Sequence, residues 1–480
     1  MNPTSSLAVF GQRIALAGLV LYAAFAPHSV AVSSIAIIIA GIGWFLRTVG
    51  TGSLGVSRSK FDLIIGLSLF WTTASSLLSV EPAISLLKLQ ASWCVLIFYL
   101  TRAIATRRTI LSLATILIIS AAVGSIYSTY DLIRGRGVVV ESLSRNSPFH
   151  QIQLEPGDTV WRIDRRRVYS LAEVDELLRT KTAGTRLSVD IISRGEHVER
   201  PGFIVPTVLD PNSPSGITGS FRNHRFRASG WTRHYETFAE LLQIIAQLAL
   251  GFSLANLRNH GPNRFFGIAL LAAALITLGI TLTAMRTVVV AFICGACLIA
   301  WLSLRGALKV AFTFALFFVL AFAAVVVSQT RAEHSLSLSD PSSQLRLQIA
   351  QVGIRRVLIH PVFGHGMDSM KRHWTEWGFP GKDILHLHST PLQLAFDRGI
   401  PMLLLWIWLM GSFWFFIFRA QAAASDLGQT SNYGFLLGAL GSLTGLLLSS
   451  MVNYNYGDAE VTMLFWWLMG AAMIAAEKEA

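Results

Sequence analysis

Phe265-Phe-Gly-Ile-Ala-Leu-Leu-Ala-Ala-Ala-Leu-Ile-Thr-Leu-Gly-Ile-Thr-Leu-Thr-Ala-Met-Arg286-Thr-Val-Val-Val-Ala-Phe-Ile-Cys-Gly-Ala-Cys-Leu-Ile-Ala-Trp301 carries a single charged residue. One helical bilayer crossing takes roughly 20 apolar residues. The stretch therefore reads as two spans, near 265 to 283 and 287 to 304, that turn at Arg286 with almost no loop. Upstream, similar runs lie near 14 to 31, 33 to 47, 61 to 79, 85 to 101, 109 to 128 and 236 to 255. Downstream they lie near 308 to 328, 399 to 418, 434 to 452 and 461 to 476. The pattern predicts an all-α polytopic membrane protein of about twelve transmembrane helices.

Composition agrees. Of 480 residues 53% are hydrophobic and 14% charged, whereas soluble domains carry about a quarter charged residues. An isolated soluble domain is excluded. The net charge of +12 does not indicate nucleic acid, because the basic residues are scattered between apolar runs. Cys94, Cys294 and Cys297 all lie inside such runs, so neither a disulfide framework nor a zinc knuckle is indicated. The first apolar segment lacks a small-residue cleavage site and reads as a retained span.

With strict alternation, Arg47, Arg58, Lys60, Arg102, Arg107, Arg108, Arg258, Arg264, Arg305, Lys309 and Arg419 fall on one face. The excess of positive charge marks that face as cytoplasmic. Both termini are then cytoplasmic, and two polar insertions emerge opposite, on the periplasmic face of a bacterial inner membrane. The expected organisation is helices 1–5 over 1–128, a periplasmic insertion over 129–235 and helices 6–9 over 236–328. A periplasmic catalytic loop over 329–398 and helices 10–12 over 399–480 follow.

In the first insertion, Leu154-Glu-Pro-Gly-Asp-Thr-Val-Trp-Arg-Ile-Asp164 precedes a segment from Ser170 to Leu178 with helical apolar spacing. Gly184-Thr-Arg-Leu-Ser-Val-Asp-Ile-Ile-Ser-Arg-Gly195 then alternates as a strand does. The order predicts a small α+β module. Its residues resemble the second half of a bacterial PDZ domain, over about 150–205, with Asp164-Arg-Arg where a glycine-containing turn is usual. The resemblance implies a peptide partner bound by strand addition; the plainer alternative is a module that shields the site.

The second insertion opens with Gln344-Leu-Arg346-Leu-Gln-Ile-Ala-Gln-Val-Gly-Ile-Arg-Arg356-Val-Leu-Ile359, an amphipathic helix that His360-Pro361 ends. Val362-Phe-Gly-His-Gly-Met367 follows, and Ile384-Leu-His386-Leu-His388-Ser389 returns the chain to the membrane at Gly399. An arginine at membrane depth, such as Arg286, needs an anionic partner or water; otherwise it snorkels to the headgroups. His388 titrates near neutrality in its ordinary state and can serve as a general base on a sugar hydroxyl. His386 and His388 without a third ligand at fixed spacing are a weak metal signal, so no metal and no cofactor is expected.

Together these residues resemble the O-antigen ligase and polymerase superfamily, membrane enzymes that handle glycans carried on polyprenyl pyrophosphate. The carriers are Arg227-Ala-Ser-Gly230, Arg286 after Leu-Thr-Ala-Met, Arg346 ahead of Pro361-Val-Phe-Gly-His-Gly366, and His388-Ser389 followed by Leu392 and Gly399. Glu236 stands where family members usually have asparagine, and Ser389 follows His388 where asparagine is common. The resemblance implies a GT-C-like fold and a metal-independent glycosyltransferase. In it Arg286 and Arg346 hold the pyrophosphate while His388 deprotonates the acceptor. Arg227, Arg233, Glu236, His386, Ser389 and Tyr456 are the expected substrate-binding residues; near Tyr456, Tyr454, Asp458 and Glu460 share the outer face.

The expected activity is transfer of a glycan from undecaprenyl pyrophosphate to lipid A core on the periplasmic face, as an O-antigen ligase performs it. A polymerase of O-antigen or exopolysaccharide shares the same plan, as does a protein O-oligosaccharyltransferase. The ligase is preferred because one long loop between the ninth and tenth spans holds helix, arginine and histidine together. A lipid-linked glycan transporter would favour internal repeats, which the two halves lack. A non-catalytic assembly protein leaves Arg286 unexplained.

Overall fold

The computed structural model describes residues 5–193, 196–232, 234–314, 341–381 and 386–477. The chain divides into two compact units. The first comprises Met1–Ala122, Ala239–Thr277 and Met285–Ala480, and the second Val123–Phe238 with Leu278–Ala284.

The helices in chain order begin with α1 (Ser6–Phe25), α2 (Val30–Thr51), α3 (Asp62–Leu78), α4 (Pro82–Lys88), α5 (Leu96–Ile104) and α6 (Arg107–Arg134). After α7 (Leu171–Arg179) come α8 (Tyr235–His260), α9 (Arg264–Leu282) and α10 (Arg286–Ser303). The last are α11 (Pro341–Ile359), α12 (Met370–His373), α13 (Thr390–Asp426), α14 (Thr430–Ser450) and α15 (Ala459–Ala476). Among the described residues ten segments are long and apolar enough to cross a membrane, one of them running from α4 through α5. The seventeen-residue α3 is apolar but shorter. The span expected near 308 to 328 runs into residues 315–340, which lie outside the described residues.

Apolar surface is distributed as a bilayer requires. On α2, Ile35, Ile38, Ile42 and Phe45 point outward while Ala36, Ala40 and Gly43 are buried. By contrast α8, α14 and α15 are enclosed on most sides. Gly434, Gly438, Gly441 and Gly445 recur at intervals of four and three on α14, which keeps them on one face. A Cβ on Gly438 would stand 2.6 Å from the Leu248 backbone of α8, so the small residues set how closely the helices approach. Ser442 Oγ donates across the same seam to the Ile244 carbonyl at 2.7 Å, and Gln247 Nε2 of α8 donates to the Phe292 carbonyl of α10 at 2.7 Å.

The second unit is built on a six-stranded antiparallel sheet. Its strands are β1 (Val138–Leu143), β2 (Thr159–Ile163), β3 (Arg166–Arg167), β4 (Arg186–Ser193), β5 (Glu196–Ile204) and β6 (Ile217–Arg222). The order is β5-β4-β2-β1-β6, with β3 on β2. Val174, Leu177 and Leu178 of α7 close the core over Val138, Val160, Val189 and Ile217. The expected strand, helix and strand are β2, α7 and β4; β1 and β6 lie outside the 150–205 stretch of the pattern. Ser170 caps α7 by accepting from the Glu173 amide at 3.3 Å. Asp164 and Arg165, at φ 51° and 64°, form the left-handed two-residue hairpin turn for which Asn-Gly is the usual sequence.

Candidate active site

The first unit positions its polar residues through a junction in α13. At Gly399 the helix breaks, with φ 80° and ψ 170°. A Cβ there would overlap the Val362 carbonyl. This contact arises because the loop after α11 is laced to the junction. The amides of His365, Gly366 and Ile400 donate to the carbonyls of Phe396, Asp397 and Pro361 at 2.8, 2.9 and 2.8 Å. Ile349 and Val357 of α11, with Trp374, Trp377, Phe379, Leu387 and Phe396, give the loop an apolar core of its own.

On this base the segment His386-Leu-His388-Ser389 enters α13. Ser389 is the N-cap, accepting from the Leu392 amide at 3.5 Å, and the Leu387 amide donates to Gln393 Oε1 at 2.8 Å. His388 is held left-handed at φ 51°, an uncommon state for a non-glycine residue that costs on the order of 1 kcal/mol or more. The His386 and His388 ring centroids are 4.2 Å apart, and the His386 ring lies 6.1 Å from that of Tyr454. Burial, then His386, then Arg346 push the His388 imidazole down to about 3. Burial, Arg346 and Lys371 push His386 down to about 4. Both rings are therefore neutral at ordinary pH, and Arg346 is within electrostatic reach of both.

Arg346 is half-buried on α11 and Arg286 is exposed as the first residue of α10. Neither guanidinium makes a hydrogen bond or ion pair among the described residues. The α10 N-terminus has no side-chain cap and no acidic residue in its first turn, so its free amides and positive dipole end add to the Arg286 charge. A hydrogen-bonded chain runs from the neighbouring Thr287 to Thr390, two residues after His388. Asn453 Nδ2 donates to Thr287 Oγ1 at 3.3 Å and to Glu240 Oε1 at 3.2 Å. The Asn453 carbonyl accepts from the Thr390 amide and hydroxyl, both at 3.1 Å. Thr390 also donates to Asn455 Oδ1 at 3.0 Å.

Arg286, Arg346, His386, His388 and Ser389 all belong to the first unit. Tyr456 lines a cavity there beside Tyr454. Arg227 and Glu236 belong to the second unit, where the Arg227 guanidinium lies 4.5 Å over the Tyr235 ring. Arg233 lies outside the described residues. Sequence reasoning missed Glu240, Thr390, Gln393 and Asn453. A signal existed for Glu240, a carboxylate inside an apolar run, but the others look like ordinary helix-end residues. As for a metal, among the described residues no third histidine, cysteine or carboxylate joins His386 and His388 in a ligand group.

Comparison with known proteins gives two matches. Residues 271–407 match the O-antigen ligase family model, and residues 121–199 match the PDZ domain model. No curated protein matches the chain. The first match takes in Arg286, Arg346, His388 and Gly399, and supports membrane glycan processing of the ligase or polymerase kind. The second confirms the PDZ-like reading of the insertion.

Proposed function

We propose that this chain is an O-antigen ligase-type glycosyltransferase. It would move a glycan from undecaprenyl pyrophosphate to lipid A core at the outer, periplasmic face of the inner membrane. The observation that carries this reading is that Arg286 and Arg346 make no hydrogen bond or ion pair among the described residues, while Arg346 acts electrostatically on two neutral histidines and Thr287, next to Arg286, is tied through Asn453 to Thr390 beside them.

In the proposed reaction the acceptor hydroxyl oxygen bonds to the anomeric carbon from the face opposite the leaving group, inverting that centre. The bond from that carbon to the pyrophosphate oxygen breaks, and its electron pair leaves on the pyrophosphate. Arg286, Arg346 and the α10 amides hold this developing charge through charge-assisted hydrogen bonds, which strengthen as charge accumulates. The proton goes to the His388 imidazole. His388 is neutral at rest and so free to accept it, and an arriving pyrophosphate beside Arg346 offsets the positive field that keeps the ring a weak base. The arginines supply charge of the kind a divalent ion supplies elsewhere.

The second unit supports a subordinate reading. β6 is an outer strand of the sheet and runs beside α7: the Ser215 amide donates to Asp175 Oδ1 at 2.9 Å, and Arg222 Nε to the Tyr169 carbonyl at 3.1 Å. An outer strand flanked by a helix suits strand addition by an extended peptide. On this reading the insertion recruits a polypeptide.

The test is transfer from undecaprenyl-pyrophosphate glycan by purified protein in chelator, with wild type and His388→Ala offered lipid A core or a second donor lipid. Product on lipid A core that the substitution abolishes supports the ligase. Elongated donor lipid replaces the ligase by the polymerase, and full activity in His388→Ala removes the proposed base.

A further inference from the structure

A cavity of about 140 Å³ in the first unit is walled by Leu69 and Thr72 of α3, Met402 and Trp406 of α13, Tyr454 and Trp466. Two cations, Arg398 and Lys88, also line it. Aromatic and aliphatic walls suit an isoprenoid or acyl chain, whereas the two cations have no use for one.

Arg398 is the unexplained group. Its Nε is buried without a hydrogen-bond partner among the described residues. Its Nη2 donates at 2.9 Å to the Met367 sulfur, a weak acceptor. It forms no ion pair among the described residues; the adjacent Asp397 carboxylate lies within its electrostatic reach but takes its hydrogen bond from Gln393 Nε2 at 2.9 Å. The Arg398 carbonyl accepts from Trp71 Nε1 at 2.8 Å, a bond any residue would supply. A guanidinium with unmet donors amid apolar walls is costly unless an anion completes it.

Lys88 adds to the positive field. It lies 3.1 Å from Asp368 Oδ2, and Lys371 lies 3.1 Å from Oδ1 of the same carboxylate. Although burial pushes Asp368 up, hydrogen bonds from Lys371 and Lys88 hold it below its ordinary value. Lys88, Lys371 and Arg398 thus face two carboxylates, Asp368 and Asp397, and one positive charge is left over. Tyr454 separates the cavity from the histidines, since its ring also lies 6.1 Å from His386.

We infer that this cavity is a second lipid-phosphate site, distinct from the pair Arg286 and Arg346. The phosphate of a phosphorylated lipid sits at Arg398 with Lys88 nearby, and its chain runs along Trp406 and Trp466. In the glycosyl-transfer reading, on which its role rests, the site anchors the acceptor while the other arginines hold the donor. The ligand class is a chain-bearing phosphate; a second polyprenyl phosphate and a phosphorylated lipid A are its two sources.

The experiment counts lipids bound to full-length protein in phosphatidylcholine nanodiscs by native mass spectrometry. Wild type, Arg398→Gln, Arg398→Lys and His388→Ala are each titrated with undecaprenyl phosphate, undecaprenol, and lipid A with or without its phosphates. Wild type and His388→Ala are expected to bind two phosphate-bearing lipids per chain. Arg398→Gln is expected to bind one, the second weakening about tenfold or more, with part of the loss recovered in Arg398→Lys. Undecaprenol binding is expected to be unchanged by the substitution. The source is whichever phosphorylated lipid loses its second copy in Arg398→Gln. Unchanged stoichiometry and affinity in Arg398→Gln, or an equal loss for undecaprenol, overturns the site. Arg398-dependent binding in a protein that transfers glycan to neither acceptor retains the site and removes the transferase reading.

Discussion

His365 and His388 lie in the same folded loop and are both neutral for the same first reason, burial, which lowers them to about 4 and about 3. They differ in what their rings touch. His365 spends Nε2 on the Arg356 carbonyl at 3.0 Å, stacks on Phe396 with centroids 4.5 Å apart, and has Nδ1 buried without a partner among the described residues. The His388 ring makes no hydrogen bond among the described residues, contacts His386 and lies in the field of Arg346. A depressed imidazole therefore does not by itself mark chemistry; a ring with neither nitrogen hydrogen-bonded among the described residues, in the field of Arg346, does.

The largest expected effect separates the two histidines outright. His388→Ala is expected to lower transfer by about 10²- to 10⁴-fold with an unchanged melting temperature. His365→Ala is expected to lose stability by about 2 kcal/mol, through the lost carbonyl bond and packing. Thermal melts in detergent alongside a transfer assay read both; a His365→Ala protein that melts like wild type breaks the contrast.

Next comes the anion side. Arg346→Gln is expected to reduce kcat by on the order of 10²-fold, as removal of a charge-stabilising donor does, and also to raise the His388 imidazole. The acid limb of kcat/KM should then move to higher pH, which a merely structural arginine would not cause.

The junction beneath both histidines should respond to one methyl group. Gly399→Ala places a Cβ on the Val362 carbonyl in a left-handed backbone. A loss of about 1–3 kcal/mol is expected from the backbone strain alone, visible as lower yield and a lower melting temperature.

The smallest effect is a slope. A histidine whose folded value is depressed binds fewer protons folded than unfolded, so stability rises with pH between the two values. The His365 contribution is fully present above about pH 6.5 and is lost as pH falls toward about 4. His365→Phe should flatten the fall in melting temperature over that window, whatever its effect at neutral pH.

Much of this was legible one residue at a time. Hydropathy alone marks the spans, because a bilayer demands length and apolarity that no other context imposes on so many segments. Arg286, Arg346 and His388 stood out because a charge or an imidazole beside a membrane span needs a reason. The Ser170 to Leu178 helix was readable from its spacing and its cap. The 3₁₀ segment Leu89–Val95 inside an expected span was not, since its residues fit an α-helix equally well.

What the sequence determined by itself is therefore the membrane architecture, the PDZ-like insertion and the list of chemically able residues. All three follow from local rules of hydropathy, periodicity and residue chemistry. Only the tertiary structure decided which of those residues share a frame. It set Asn453 between Thr287 and Thr390 and, among the described residues, gave the His365 ring a carbonyl but not the His388 ring, and left Arg398 without an ion pair beside a largely apolar cavity. Those outcomes depend on contacts between segments far apart in the chain, and no local pattern encodes such contacts.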